Sequence, residues 1–247
     1  QKKYGFTAML YEVGAEHKLH FQQLFKIIEL LGYSWHKTCV HVDHGLYLDT
    51  DGKKFSTRKG KTIFMADIIA ESIALAKKTI QQKNPNLNQQ DTVATMVGIG
   101  AIIFGDLCND RTRDIVFDLG KFTSFEGETG PYLQYTHARL CSILRKQPRQ
   151  QKKPINFSCY DAQEMFIISQ LGNFSAIIID ASRQYKPHIL ARYLLDLAQQ
   201  VNSFYTSHPV LQDNKELEHA RLAFISAVKI VLATGLHLLG IEAPAAM

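Results

Sequence analysis

Hydrophobic positions recur with two different periods along the chain. Phe6 to Val13 and Thr38 to Asp43 are short, rich in aromatic or β-branched residues and bounded by Gly, which predicts strands. Between them Phe21, Leu24, Phe25, Ile28 and Leu31 fall at helical spacing, and Gly32 follows where a helix stops. A strand, helix, strand succession favours a parallel sheet covered by helices. Gly45 to Thr62 reads as hairpin or loop around an Asp51-Gly52 turn signal, with Thr62 to Met65 as a short returning strand. Beyond Asp67 the pattern turns helical. Ile68, Ile69, Ile73 and Leu75 support one helix that ends before Pro85, and Asp91 is placed to cap the next, which runs to Leu107. The rest predicts a helical bundle with helices over 130–146, 161–171, 174–185, 187–205 and 215–239, joined by short polar or Pro-containing connections. The expected fold class is therefore α/β followed by all-α.

Composition narrows the class. With 247 residues, 46% of them hydrophobic, the chain can bury a core without disulfide or metal support, which excludes disordered and small stapled scaffolds. Cys39, Cys108, Cys141 and Cys159 are too scattered for a zinc ribbon or a disulfide framework, so they read as reduced thiols in a cytoplasmic protein. The most apolar stretch, Phe224 to Ile241, is interrupted by Lys229, Gly235 and His237, and reads as a core helix of a protein without a membrane partner. A net charge of +5 permits a polyanionic partner without requiring one.

That charge is concentrated. Asp51 to Lys61 carries five cations and two hydroxyls around Gly52 and Gly60, a composition that can wrap a phosphate chain and neutralise it. A solvated basic tip has the same composition. Gly60-Lys61-Thr62 matches the tail of a Walker A loop, but the required first Gly falls at Phe55, which rejects that reading. Arg145 to Lys153, with five basic and no acidic residues around Pro148, reads as an exposed loop. Gly98-Ile-Gly100 begins like a dinucleotide fingerprint, yet Ile103 breaks it inside a helical pattern, so close helix packing is expected instead. His41 and His44 have strand spacing and no metal site is expected there or elsewhere. In Phe125 to Arg139, Thr129 can cap a helix and Pro131 suits its first turn, while Tyr132, Tyr135, His137 and Arg139 offer stacking and hydrogen-bonding groups. These groups suit unstacked RNA bases and phosphates, or a brace between two halves of the molecule.

Taken together, these segments resemble one family. Lys54-Phe-Ser-Thr-Arg-Lys-Gly60 is similar to the Lys-Met-Ser-Lys-Ser signature of class I aminoacyl-tRNA synthetases, in the form found in arginyl-tRNA synthetases. Residues 125–139, the upstream Val13-Gly-Ala-Glu-His-Lys-Leu-His-Phe21 and the Leu238-Leu-Gly-Ile-Glu-Ala-Pro ending resemble the same family in the same order. The resemblance implies the C-terminal portion of a Rossmann-type catalytic domain over residues 1–115, with the signature loop at 53–60, followed by a helical anticodon-binding domain over 116–247; the boundary falls between about 85 and 130. It implies activation of arginine by ATP, with Mg²⁺, to arginyl-adenylate, then transfer to the 3′ end of the arginine tRNA. Lys54, Ser56 and Arg58 match the signature loop that stabilises the triphosphate, with Lys53 and Lys59 beside them, while Thr57 stands for the second signature Lys. His17 stands where the family places an active-site Gln, and His44 where it places a Phe. Tyr135, His137, Arg139, Tyr205 and Met247 fall at anticodon-loop contacts. The family's His-Ile-Gly-His signature is not among these residues, so the expectation is a monomeric C-terminal portion that does not form adenylate alone; the alternative is a free-standing, catalytically inactive tRNA-binding or regulatory module.

Overall fold

The structure, a computed structural model, describes residues 3–53, 64–146 and 154–247. The chain divides into two compact units, one of residues 1–61 with 109–118, the other of 62–108 with 119–247. These units cut the chain differently from the expected line at 115, because the helices of 65–107 pack with the later helices and only 109–118 returns to the first unit.

In the first unit β1 (Met9–Gly14) pairs in parallel with β2 (Cys39–His44), in register from Met9 opposite Cys39 to Gly14 opposite His44. A parallel pair needs a crossover, and α1 (Lys18–Leu30) supplies it, burying Phe21 and Ile28 from its apolar stripe. Of the stretch expected to be a hairpin or loop, residues 54–62 lie outside the described residues, and its start forms a second parallel pair: β3 (Tyr47–Leu48) lies beside β4 (Ile115–Val116). The segment arriving from 68 residues away supplies the partner groups, since Arg111 O accepts from Gly45 N and Asp114 Oδ1 from Leu46 N. The turn signal itself forms as expected. Asp49 Oδ1 accepts from the amides of Asp51 and Lys53, and Gly52 takes a φ of 74°.

The second unit is helical throughout its described residues. α2 (Met65–Lys83) begins at Met65, where the last residue of a returning strand was expected; Phe64 is its N-cap. α3 (Gln90–Leu107) starts one residue before Asp91, from a left-handed Gln89. Asp91 therefore sits in the first turn, where its charge suits the helix dipole, and its carboxylate pairs with Lys77 at 2.6 Å rather than capping. Gly98 lets these helices close: a Cβ there would lie 2.7 Å from Ile73 Cα, and Ser72 Oγ donates to Gly98 O at 2.8 Å. The glycines thus serve packing.

After the short α4 (Leu119–Phe122) come α5 (Gly130–Lys146), α6 (Ala162–Gly172), α7 (Phe174–Gln184), α8 (Pro187–Ser207) and α9 (Lys215–Leu238). Their buried faces, led by Leu133, Leu140, Ile167, Leu194, Phe204 and Ile225, merge into one core. By length and composition α9 could cross a membrane, but Phe224, Val228, Leu232 and Leu236 are turned into that core. Gly240, at φ 78°, closes α9: Ile241 N donates to Leu236 O and Gly240 N to His237 O, a six-to-one and five-to-two pair that redirects the chain into a tail.

Candidate nucleic-acid interface

The site is built on α5. Thr129 Oγ1 accepts from Tyr132 N at 3.2 Å and donates to Ser124 O at 2.6 Å, so the cap also ties the helix to the loop before it. Helical periodicity then divides the side chains. Leu133, Gln134, His137 and Leu140 point inward, while Tyr132, Tyr135 and Arg139 are half-buried.

Arg139 is held between aromatic rings. Its guanidinium carbon lies 4.9 Å from the centroid of Tyr135 and 5.6 Å from that of Tyr205 on α8. Nη1 donates to Asn202 Oδ1 at 3.0 Å, and Asn202 Nδ2 in turn donates to Tyr132 Oη and Thr136 Oγ1, both at 2.9 Å. Among the described residues no carboxylate pairs with Arg139, so its charge is oriented by a neutral amide and left uncompensated. Asn202 carries no signal in the sequence beyond its place three residues before Tyr205; its role depends on a partner 63 residues away.

Two of the residues expected at the anticodon loop, His137 and Met247, also hold the tail. His137 is 5% exposed, and its Nδ1 lies 3.0 Å from Pro244 O. A carbonyl only accepts, so Nδ1 carries the proton and Nε2 is left as an acceptor facing Cys141 Sγ at 3.6 Å. Burial pushes the His137 pKa below the ordinary histidine value; the bond to Pro244 opposes that shift and the charge of Lys229 adds to it. His137 therefore packs in this structure, because the half-turn from Tyr135 carries it inside. The same tail is gripped at Glu242 O by Gln134 Nε2 (2.7 Å), at Ala245 O by Arg145 Nη1 (2.8 Å) and at Met247 O by Asn84 Nδ2 (3.1 Å). Met247 packs with Phe125 against Ala76, Ile80, Val93, Ala94 and Val97.

The other expected residues lie in the first unit. His17 and Lys53 are exposed, while Lys54, Ser56, Arg58 and Lys59 fall outside the described residues. His44 Nδ1 donates to Gly45 O at 2.8 Å. A cavity of about 230 Å³ is lined by Lys18, Phe21, Gln22, Phe25, His41 and Asp43. His41 stacks on Phe21 at 4.3 Å and its Nε2 donates to Val13 O at 2.9 Å; a side-chain bond from Arg111 holds the Asp43 carboxylate below its ordinary range.

Comparison with known proteins divides the chain elsewhere than the two compact units do, since the stretch 62–108 falls within the first family match. Residues 1–119 match the catalytic domain of class I tRNA synthetases (R), and residues 133–247 match the DALR anticodon binding domain. An arginine–tRNA ligase 1 of Bacillus thuringiensis subsp. konkukian is 46% identical over 247 residues, all of this chain and 43% of that protein. An arginine–tRNA ligase of Halothermothrix orenii is 43% identical over 248 aligned positions, covering 44% of its length. The structure of a Thermus thermophilus arginyl-tRNA synthetase superposes with a TM-score of 0.89 at 30% identity, over 97% of this chain and 41% of that one. The chain thus spans less than half the length of these relatives. With the two family matches running in the family's order and the identity extending from end to end, the chain belongs to the arginyl-tRNA synthetase family, of which it carries a catalytic-domain portion and the DALR anticodon-binding domain.

Proposed function

We propose that this chain is the tRNA-binding portion of an arginine–tRNA ligase, and that the face around Arg139 receives the anticodon loop of the arginine tRNA. One observation carries the reading: an uncompensated guanidinium, oriented by Asn202 and flanked by Tyr135 and Tyr205, offers a phosphate a cation and unstacked bases two rings. In the complete enzyme ATP and arginine form arginyl-adenylate and pyrophosphate, and the arginyl group then passes to the tRNA. Lys54, Ser56 and Arg58, aided by Lys53 and Lys59, stabilise the triphosphate in the first step, with His17 beside the substrates. Mg²⁺ enters with the triphosphate, whose oxygens are its preferred ligands; among the described residues no cluster of His, Cys, Asp or Glu is arranged to hold a metal. Working as a monomer in the cytoplasm, the chain by itself supplies RNA binding without adenylate formation.

The test uses the 247-residue chain. It is expected to bind an RNA stem-loop carrying the arginine anticodon loop better than a fully paired duplex of the same composition, with affinity falling as salt rises. Arg139→Met should weaken stem-loop binding by about tenfold or more, since a charge-assisted contact is worth roughly 1.5–3 kcal/mol. Equal binding of stem-loop and duplex, or by the variant, overturns the RNA reading. Robust arginine-dependent exchange of pyrophosphate into ATP would overturn the claim that the chain is catalytically incomplete.

A further inference from the structure

Tyr135 is approached by a second cation that the sequence did not bring to notice. Lys83, in the last turn of α2, places Nζ 5.9 Å from the Tyr135 centroid and 5.4 Å from that of Phe125. Among the described residues its ammonium has no hydrogen-bond or ion-pair partner, and Arg139 beside the same ring has no carboxylate either. Two like charges on one ring repel, and with neither of them paired to a carboxylate among the described residues the pair favours an incoming anion. The rings are fixed from behind: Phe125 packs against the Ile80, Val93 and Val97 cluster, and Tyr135 stands on α5. Lys83, by contrast, is exposed on a long stem and can leave them cheaply.

We infer that Phe125, Tyr135 and Lys83 form a second nucleotide position on this face, in which a base of a single-stranded RNA loop stacks on the half-exposed rings while Lys83 moves to its phosphate. Lys83 lies within the stretch matched by the catalytic-domain family and Tyr135 within that of the anticodon domain, so the RNA face is shared across that boundary inside one compact unit. The inference rests on the RNA-binding reading above, and the experiment separates the two.

The full chain is titrated with the same stem-loop at several salt concentrations. Lys83→Met should weaken binding about fivefold, the upper end for one solvent-exposed ion pair, here with the phosphate, and lower the slope of log affinity against log salt by about 0.7, as for one phosphate contact on a single strand. Lys83→Arg should restore the slope. Phe125→Leu, which keeps apolar packing but loses the π face, should weaken binding with the slope unchanged; the two Lys83 variants should unfold near the wild-type temperature, and Phe125→Leu should remain folded at the temperature of the titration. If Lys83→Met binds with wild-type affinity and slope while Arg139→Met loses binding, Lys83 only shields the rings and complements the α2 dipole; the inference falls and the RNA reading stands. If Arg139→Met also binds as wild type, both fall.

Discussion

Phe204 and Tyr205 are neighbours on α8, and each lies under an arginine, yet the two pairs belong to opposite kinds of site. Phe204 is fully buried, with Arg221 5.6 Å from its centroid; Tyr205 is 39% exposed, with Arg139 at the same distance. One residue turns a helix by about 100°, enough to place one ring in the core and the next at the surface. The inner arginine is fully answered. Its Nε donates to Glu164 Oε1 at 2.7 Å and Nη1 to Pro209 O at 2.9 Å, while Glu164 Oε2 accepts from Asp161 N at 2.9 Å. The outer arginine finds only an amide. A cation removed from water must be paired, whereas one left at the surface can keep its charge available, and that surplus is what a polyanion recognises.

The largest effect is expected where the pairing is broken inside. Glu164 has a side chain with no exposure, so Arg221→Met strands its charge and should cost about 3–5 kcal/mol in urea denaturation. Adding Glu164→Gln should recover much of that loss, because a neutral amide is cheaper to bury than an unpaired carboxylate. A single variant within 1 kcal/mol of wild type, by contrast with this estimate of roughly several, would show that the buried pair is not what the inner site depends on.

At the outer site the same class of change should spare the fold. Tyr205→Ala is expected to lower stem-loop affinity by about 1–3 kcal/mol, the value of one base stacked on an aromatic ring, while unfolding shifts by less than roughly 1 kcal/mol because the ring is substantially exposed. The reverse ranking, a large loss of stability with unchanged RNA affinity, would make Tyr205 a packing residue and erase the contrast with Phe204.

How much of this was legible follows from range. The bundle helices emerge from local periodicity and punctuation: α5 spans the predicted 130–146, Pro187 opens α8, and Thr129 caps as its chemistry suggests. Contacts set by distant partners did not emerge. Nothing near Tyr47 announces a parallel partner at Ile115, and nothing near His137 announces that Pro244 will lie against it. Lys83 was invisible for the same reason: it reads as an ordinary last-turn cation until α2 and the loop carrying Phe125 meet. The signature loop is the opposite case, explicit in sequence through Lys54, Ser56 and Arg58 but outside the described residues, so its chemistry rests on pattern alone.

The smallest predicted effect tests the place where the tail is held against α5. Burial lowers the His137 pKa, so the unfolded chain takes up a proton near the ordinary value of 6.5 while the folded one still resists. Stability from this group is therefore complete above that value and is lost as pH falls below it, until the folded ring itself protonates. The loss has a structural address, because a charged His137 would face Lys229 and keep its bond to Pro244 while giving up the thiol of Cys141 as a donor to Nε2. His137→Gln retains a donor toward Pro244 without a titrating group. Its urea midpoint should change less than wild type's between about pH 7.5 and pH 5.5, and the difference should vanish above pH of roughly 7. Equal pH dependence in the two proteins would mean that the ring titrates freely, and that the tail is held by Gln134 and Arg145 rather than by a buried neutral imidazole.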